Sequence, residues 1–108
     1  MGRSQAKIYL IVLAKALNLT QQAQRDLDKP YGWYKKQSQG LKEFIRCVDA
    51  ELALVSRNSL QYQIIFKKTI RRALTNRFPY SIYFIDEEEL ITVFAILHQR
   101  RNPEIWQA

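Results

Sequence analysis

The chain has 108 residues, of which 47% are hydrophobic and 25% charged. These fractions are ordinary for a globular domain, so they favour a folded chain over a disordered one. One domain with a single core is expected at this length. The 17 lysines and arginines outnumber the 10 acidic residues, and the net charge of +7 predicts an acidic or polyanionic partner, with solubility alone as the alternative. Cys47 is the only cysteine, which excludes an internal disulfide. No Cys/His cluster has metal-ligand spacing, so we expect no metal and no cofactor.

The first 15 residues are predicted to form an N-terminal extension of uncertain role, followed by a single domain at 16–108. Arg3 and Lys7 precede an apolar run at 8–14, which has the outline of a weak signal peptide but is too short to span a membrane. We therefore expect a cytoplasmic protein without membrane contact. The apolar run is predicted to lengthen the first strand, because an exposed run of this kind invites edge pairing. A non-native tail is the alternative.

The first predicted elements are a strand ending at Leu19 and a helix over about 21–37. Thr20 offers a hydroxyl to the free amides at the start of that helix. Pro30 removes a backbone hydrogen bond and crowds the preceding turn, so we expect a kink or break there. Helical spacing assigns the buried face to Ala23, Leu27, Tyr31 and Tyr34.

A second helix is predicted over about 41–56. Its apolar positions follow helical spacing, which indicates one continuous buried stripe. Two amphipathic helices joined by the short link 38–40 are expected to pack as an antiparallel hairpin. The stripe consists of Leu41, Phe44, Ile45, Val48, Leu52 and Val55.

Beyond Tyr62 the sequence is rich in β-branched and aromatic residues, which favour strands. The four acidic residues 86–89 are predicted to form a polar hairpin turn. The run that follows is nearly all apolar and should be a central strand covered on both faces. The fold class is therefore α+β, with an N-terminal strand and an antiparallel helical hairpin packed on a mostly antiparallel sheet. The predicted strands lie at 64–66, 70–74, 80–85 and 90–97.

Positive charge is concentrated between residues 57 and 80, where no acidic residue occurs. We expect these cations and the later pair Arg100 and Arg101 to form one continuous positive surface on the sheet. The pair could instead bind Glu104 or the acidic turn. The cations in the 57–80 segment are Arg57, Lys67, Lys68, Arg71, Arg72 and Arg77.

Several motifs carry a family resemblance. Arg-Phe-Pro-Tyr at 77–80 precedes one predicted strand, and His-Gln-Arg-Arg-Asn-Pro-Glu-Ile-Trp at 98–106 follows the last. Together with Ala-x-x-Asp-Leu-Asp at 23–28 and Tyr-x-Trp-Tyr at 31–34, they resemble toxins of the RelE/ParE superfamily, closest to the ParE branch. The resemblance covers about residues 17–106. Pro30 departs from the family pattern, and the first fifteen or so residues have no counterpart in it.

The resemblance implies a toxin of a type II toxin–antitoxin system, with one strand, a helical hairpin and three antiparallel strands. It implies neutralisation by a cognate antitoxin, which we expect to be acidic, in a toxin–antitoxin hetero-oligomer. The ParE branch is associated with inhibition of DNA gyrase by binding, without chemistry of its own. The RelE branch, which is the alternative, consists of ribosome-dependent endoribonucleases that cut mRNA. A copy that has lost toxicity remains a third hypothesis.

The residues expected for RNA cleavage are incomplete when the chain is aligned with the nuclease branch. Ser81 and Trp106 stand where that branch places an arginine and often a tyrosine, and an indole cannot transfer a proton usefully. A nuclease would therefore have to rely on Arg72, His98 and Arg100, although a lone histidine here is also typical of a structural residue. We expect a non-catalytic inhibitor.

The target-binding residues are predicted from the same segments. Trp106 could instead cap the core beside Pro103. The predicted set comprises Lys67, Lys68, Arg71, Arg72, Arg77, Arg100, Arg101 and Trp106.

Overall fold

A strand, three helices and a four-strand meander follow one another along residues 15–37 and 39–101, the part of the chain that the computed structural model describes. The predicted run at 8–14 lies outside these residues. The elements are β1 (Ala16–Leu19), α1 (Gln21–Asp26), α2 (Asp28–Lys35), α3 (Gly40–Asn58), a 3-10 turn (Ser59–Gln61), β2 (Gln63–Phe66), β3 (Ile70–Leu74), β4 (Tyr80–Asp86) and β5 (Leu90–His98).

The strands form one sheet in the order β1-β5-β4-β3-β2. β1 runs parallel to β5, with Ala16 opposite Leu90, and the other neighbouring strands are antiparallel. The predicted α+β class and the mostly antiparallel sheet are confirmed. β5 is central, as predicted, because it lies between β1 and β4.

The helices pack on one face of the sheet, which we call the inner face. Their apolar side chains join those of β3, β4 and β5 in a single cluster. Phe44 of α3 is fully buried at its centre, with ring centroids 4.9 Å from Tyr34, 5.4 Å from Phe78 and 5.2 Å from Tyr80. The predicted stripe of α3 is confirmed, since Val48 and Val55 are buried on the same side.

The first helical segment breaks at Leu27, which corrects the prediction of a break at Pro30. α1 ends at Asp26, and α2 begins at Asp28 with Pro30 in its first turn. A proline is tolerated there because the first amides of a helix have no intrahelical partner. The break avoids a continuous helix in which the ring would crowd the carbonyl four residues earlier. The Thr20 cap is confirmed, with its hydroxyl accepting from Ala23 N at 3.1 Å.

A polar junction ties the start of β1 to the end of β4. Lys15 Nζ lies 2.6 Å from Asp86 Oδ1, and Ser59 Oγ donates to Asp86 Oδ2 at 2.5 Å. The backbone of Lys15 also bonds to Ser56 of α3. Asp86 was predicted to begin the polar hairpin turn, but it is the last residue of β4, and its side chain is only 6% exposed.

The turn between β2 and β3 carries two consecutive lysines in the left-handed region. Lys67 has φ 49° and Lys68 has φ 63°, and Thr69 N donates to Phe66 O across the turn. Glycine and asparagine are preferred at such positions because a Cβ atom crowds the backbone there. The turn therefore contains local backbone strain.

Replacing Lys68 with glycine is expected to raise the free energy of unfolding by about 1 kcal/mol, because the left-handed backbone then loses its steric cost. Urea denaturation followed by circular dichroism measures the change. Lys68→Ala is the matched control, since it removes the same charge but keeps the Cβ atom. Equal stabilisation by both variants would show that charge, and not backbone strain, is responsible.

Candidate target-binding surface

The two adjacent arginines of β3 lie on opposite faces of the sheet. Arg71 is opposite Phe84 of the inner face, and its Nη1 donates to Tyr62 O at 2.6 Å. Arg72 is opposite Tyr83, which belongs to a second apolar cluster on the other side, the outer face. Successive side chains of a strand alternate between faces, so these two cations cannot serve one flat surface.

The remaining cations are also separated. Arg77 forms an ion pair with Glu43 of α3, 2.9 Å apart. Lys67 lies at the end of the sheet where Ile70 pairs with Ile85, with its Nζ 5.2 Å from the Phe66 ring centroid. The end of β5, which leads to Arg100, pairs with Tyr80 instead.

Tyr80 and Ile85 are five residues apart in β4, about 17 Å along a strand, and exposed charges are screened beyond about 8–10 Å at physiological salt. The prediction of one continuous positive surface is therefore wrong.

Tyr83 connects the outer-face cation Arg72 with the turn that carries Arg100 and Arg101. Arg72 is the cross-strand neighbour of Tyr83, and the Tyr83 hydroxyl donates to Arg101 O at 3.3 Å. Arg100 precedes Arg101 in the exposed turn after β5. Among the residues that the structure describes, no carboxylate lies within ion-pair distance of these three arginines. We call Arg72, Arg100 and Arg101 the outer basic site.

His98 touches the backbone of the outer basic site at Arg100, but its ring packs on the other side of the sheet from Arg72. Its ring is 5.6 Å from that of Tyr80, which packs against the inner cluster. Its Nδ1 accepts a hydrogen bond from Arg100 N at 3.2 Å. Burial, followed by the neighbouring Tyr34, raises the pKa of Tyr80, so this phenol stays protonated at neutral pH. Arg72 and His98 thus face opposite sides, and the residues predicted for a nuclease do not converge.

Ser81 is fully buried on the outer side of β4, opposite Leu74 on β3 and Leu97 on β5. Its Oγ has no hydrogen-bond partner in the described part of the chain. A hydroxyl in this position is shielded from any substrate.

Tyr83 is the residue of this surface that the sequence analysis missed. It is fully buried, and its hydroxyl donates a hydrogen bond to Arg101 O. The available signal was strand alternation, because Arg72 and Tyr83 occupy matching positions on adjacent strands. Trp106, the last predicted binding residue, lies outside the described residues.

Across residues 15–37 and 39–101, no helix is long and apolar enough to cross a membrane. Within the same ranges, no group of three or more His, Cys, Asp or Glu side chains is placed to hold a metal ion.

Comparison with known proteins assigns the chain to a protein family. Residues 17–103 match the family model described as the ParE toxin of the type II toxin–antitoxin system, parDE. A chain in the solved structure "Chromosomal ParDE TA system from P. aeruginosa" has a similar fold, with a TM-score of 0.66 at 19% identity over 79% of this chain and 96% of that one. No curated protein matches significantly. Since the family model covers most of the sequence, the chain belongs to the ParE toxin family of type II toxin–antitoxin systems.

Proposed function

We propose that this ParE-family toxin inhibits DNA gyrase by binding it, in the cytoplasm, and that the outer basic site makes the principal contact. The observation that supports this proposal is that Arg72 lies opposite Tyr83, whose hydroxyl bonds to the backbone of Arg101 next to Arg100. In the described chain no carboxylate lies within ion-pair distance of these arginines. Guanidinium groups bind the carboxylates or phosphates of a target with two parallel hydrogen bonds.

A binding mechanism without chemistry fits the placement of the residues that cleavage would need. A ribonuclease requires a general base, a general acid and cations around one phosphate. Here His98 packs beside Tyr80 on the inner side, while Arg72 lies on the outer face. Ser81 is buried between apolar strands. The alternative, a ribosome-dependent endoribonuclease, would need a rearrangement that brings these groups together.

Induction in bacteria without antitoxin tests the proposal. We expect a DNA damage response before any loss of translation, and inhibition of purified gyrase in a supercoiling assay. Loss of translation with codon-linked mRNA cleavage would identify the nuclease alternative. Normal growth would support a copy without toxicity.

The double variant Arg100→Glu/Arg101→Glu is expected to weaken gyrase inhibition at least tenfold, or about 1.4 kcal/mol, because reversed charges repel an acidic target. The inhibitor concentration for half-maximal supercoiling gives the measurement. Lys35→Glu/Lys36→Glu, which reverses two exposed cations at the end of α2, is the matched control and should inhibit normally. An equal effect of both double variants would show that net charge alone governs inhibition.

We also propose a cognate antitoxin with an acidic, amphipathic segment, forming a toxin–antitoxin hetero-oligomer. Support comes from the β2 edge of the sheet, where Leu60 and Ile64 are exposed beside Arg71. Such a segment can bury its apolar side on these residues and place its carboxylates near the arginine. Co-purification from cells that make both proteins, which high salt should weaken, is the corresponding test.

A further inference from the structure

The outer face of the sheet is covered although no described helix lies on it. Its apolar cluster consists of strand residues alone, and Tyr83 at its centre is fully buried. A single layer of strands normally leaves this side to solvent, so complete burial requires a second layer. The cluster comprises Ile70, Tyr83, Ala95 and Leu97, flanked by Ile65, Phe66, Ile85 and Phe94.

Chain direction indicates which segment supplies that layer. The hydrogen bond from Tyr83 to Arg101 O places the last described residue over the outer face. At the other end of the described chain, the backbone of Lys15 bonds to Ser56 of α3, on the helical side of the sheet. The C-terminal segment therefore begins on the outer face, whereas the N-terminal segment begins beside the helices.

The length and composition of the C-terminal segment also fit a cover for the outer face. The seven residues 102–108 can extend about 23 Å, whereas the distance across the sheet from β5 to β2 is about 14 Å. The segment contains Ile105 and Trp106, and a tryptophan side chain alone can bury about 150–250 Å².

The geometry points to the outer face as an intramolecular docking surface for residues 102–108, with Ile105 and Trp106 packed on the outer apolar cluster. Docking of this segment anchors the turn that carries Arg100 and Arg101, because β5 fixes one end of the turn and the docked segment fixes the other. The inference concerns the toxin itself and does not depend on the identity of its target.

Tryptophan fluorescence tests the docking, since the chain has two tryptophans and one of them, Trp33, is 62% exposed. Trp33→Phe leaves Trp106 as the single reporter, and Trp106→Phe leaves Trp33 as the matched comparison. In the full-length protein we expect Trp106 to emit at shorter wavelength than Trp33, with an acrylamide quenching constant at least threefold lower. Equal quenching of the two reporters would overturn the inference.

Dilution and deletion test which part of the protein shields Trp106 from acrylamide. Protection of Trp106 should persist on dilution of the protein and after deletion of residues 2–14. Loss on dilution would assign the cover to a second copy of the chain, and loss after the deletion would assign it to the N-terminal segment. Either result overturns docking within one chain by 102–108. These measurements keep the C-terminal segment intact, so they do not depend on the folding of a truncated protein.

Discussion

Replacing Phe44 with alanine is expected to lower the free energy of unfolding by about 3–5 kcal/mol. Phe44 is fully buried, and its ring contacts those of Tyr31, Tyr34, Phe78 and Tyr80. The change removes the aromatic contacts of α3 with Tyr34 of α2 and Tyr80 of β4, and the surrounding structure relaxes only partly into the cavity. Domains of this kind are stabilised by only about 5–15 kcal/mol in total, so a large share of the stability would be lost.

Chemical denaturation followed by circular dichroism measures this loss. Leu54→Ala provides the control, because Leu54 lies on the same helix but is 44% exposed, and we expect a change below about 1 kcal/mol. A similar loss in both variants would mean that burial in the aromatic cluster does not determine the result, since alanine favours a helix at both positions.

Asp86→Asn is expected to lower the free energy of unfolding by about 1–3 kcal/mol at neutral pH. The amide cannot balance the charge of Lys15, and the hydrogen bond from Ser59 weakens. The estimate lies below the value for fully buried pairs because the Lys15 side chain is 30% exposed and can reach water. Glu88→Gln in the neighbouring exposed turn should leave stability unchanged.

The pH dependence gives a second measurement of the same junction. Burial alone would raise the pKa of Asp86, but the hydrogen bonds from Lys15 and Ser59 and the charges of Lys15 and Arg71 outweigh it and hold the pKa below its usual value. This contribution to stability is complete above about pH 4 and disappears as pH falls through the lowered pKa. The difference between wild type and Asp86→Asn should therefore shrink in acid. A difference independent of pH would contradict this account.

Local patterns predicted most of the fold. The apolar spacing of α3, the Thr20 cap and the β-branched runs each depend on neighbouring residues, and the structure confirms all three. The break was predicted at Pro30 and not at Leu27 because a proline can either end a helix or lie in the first turn of the next one.

The candidate site was less predictable because it depends on strand register. Alternation alone could have separated Arg71 from Arg72, but the position of Arg101 over Tyr83 requires knowing how β4 and the turn after β5 meet. The pairing of Lys15 with Asp86, 71 positions apart, was likewise invisible to local reasoning.

The parallel pairing of β1 with β5 has a consequence for the order of folding. Thr20 and Phe94, at the end of this pairing, are 74 positions apart, whereas β4 and β5 are joined by a short turn. Each doubling of a closed loop costs about 0.6 kcal/mol of chain entropy, and such non-local contacts slow folding. We expect β1 to join the sheet last, after the final strand has left the ribosome. A nascent toxin would then complete its sheet only after β5 is available, which leaves an interval in which an antitoxin already present can meet it before it is fully folded.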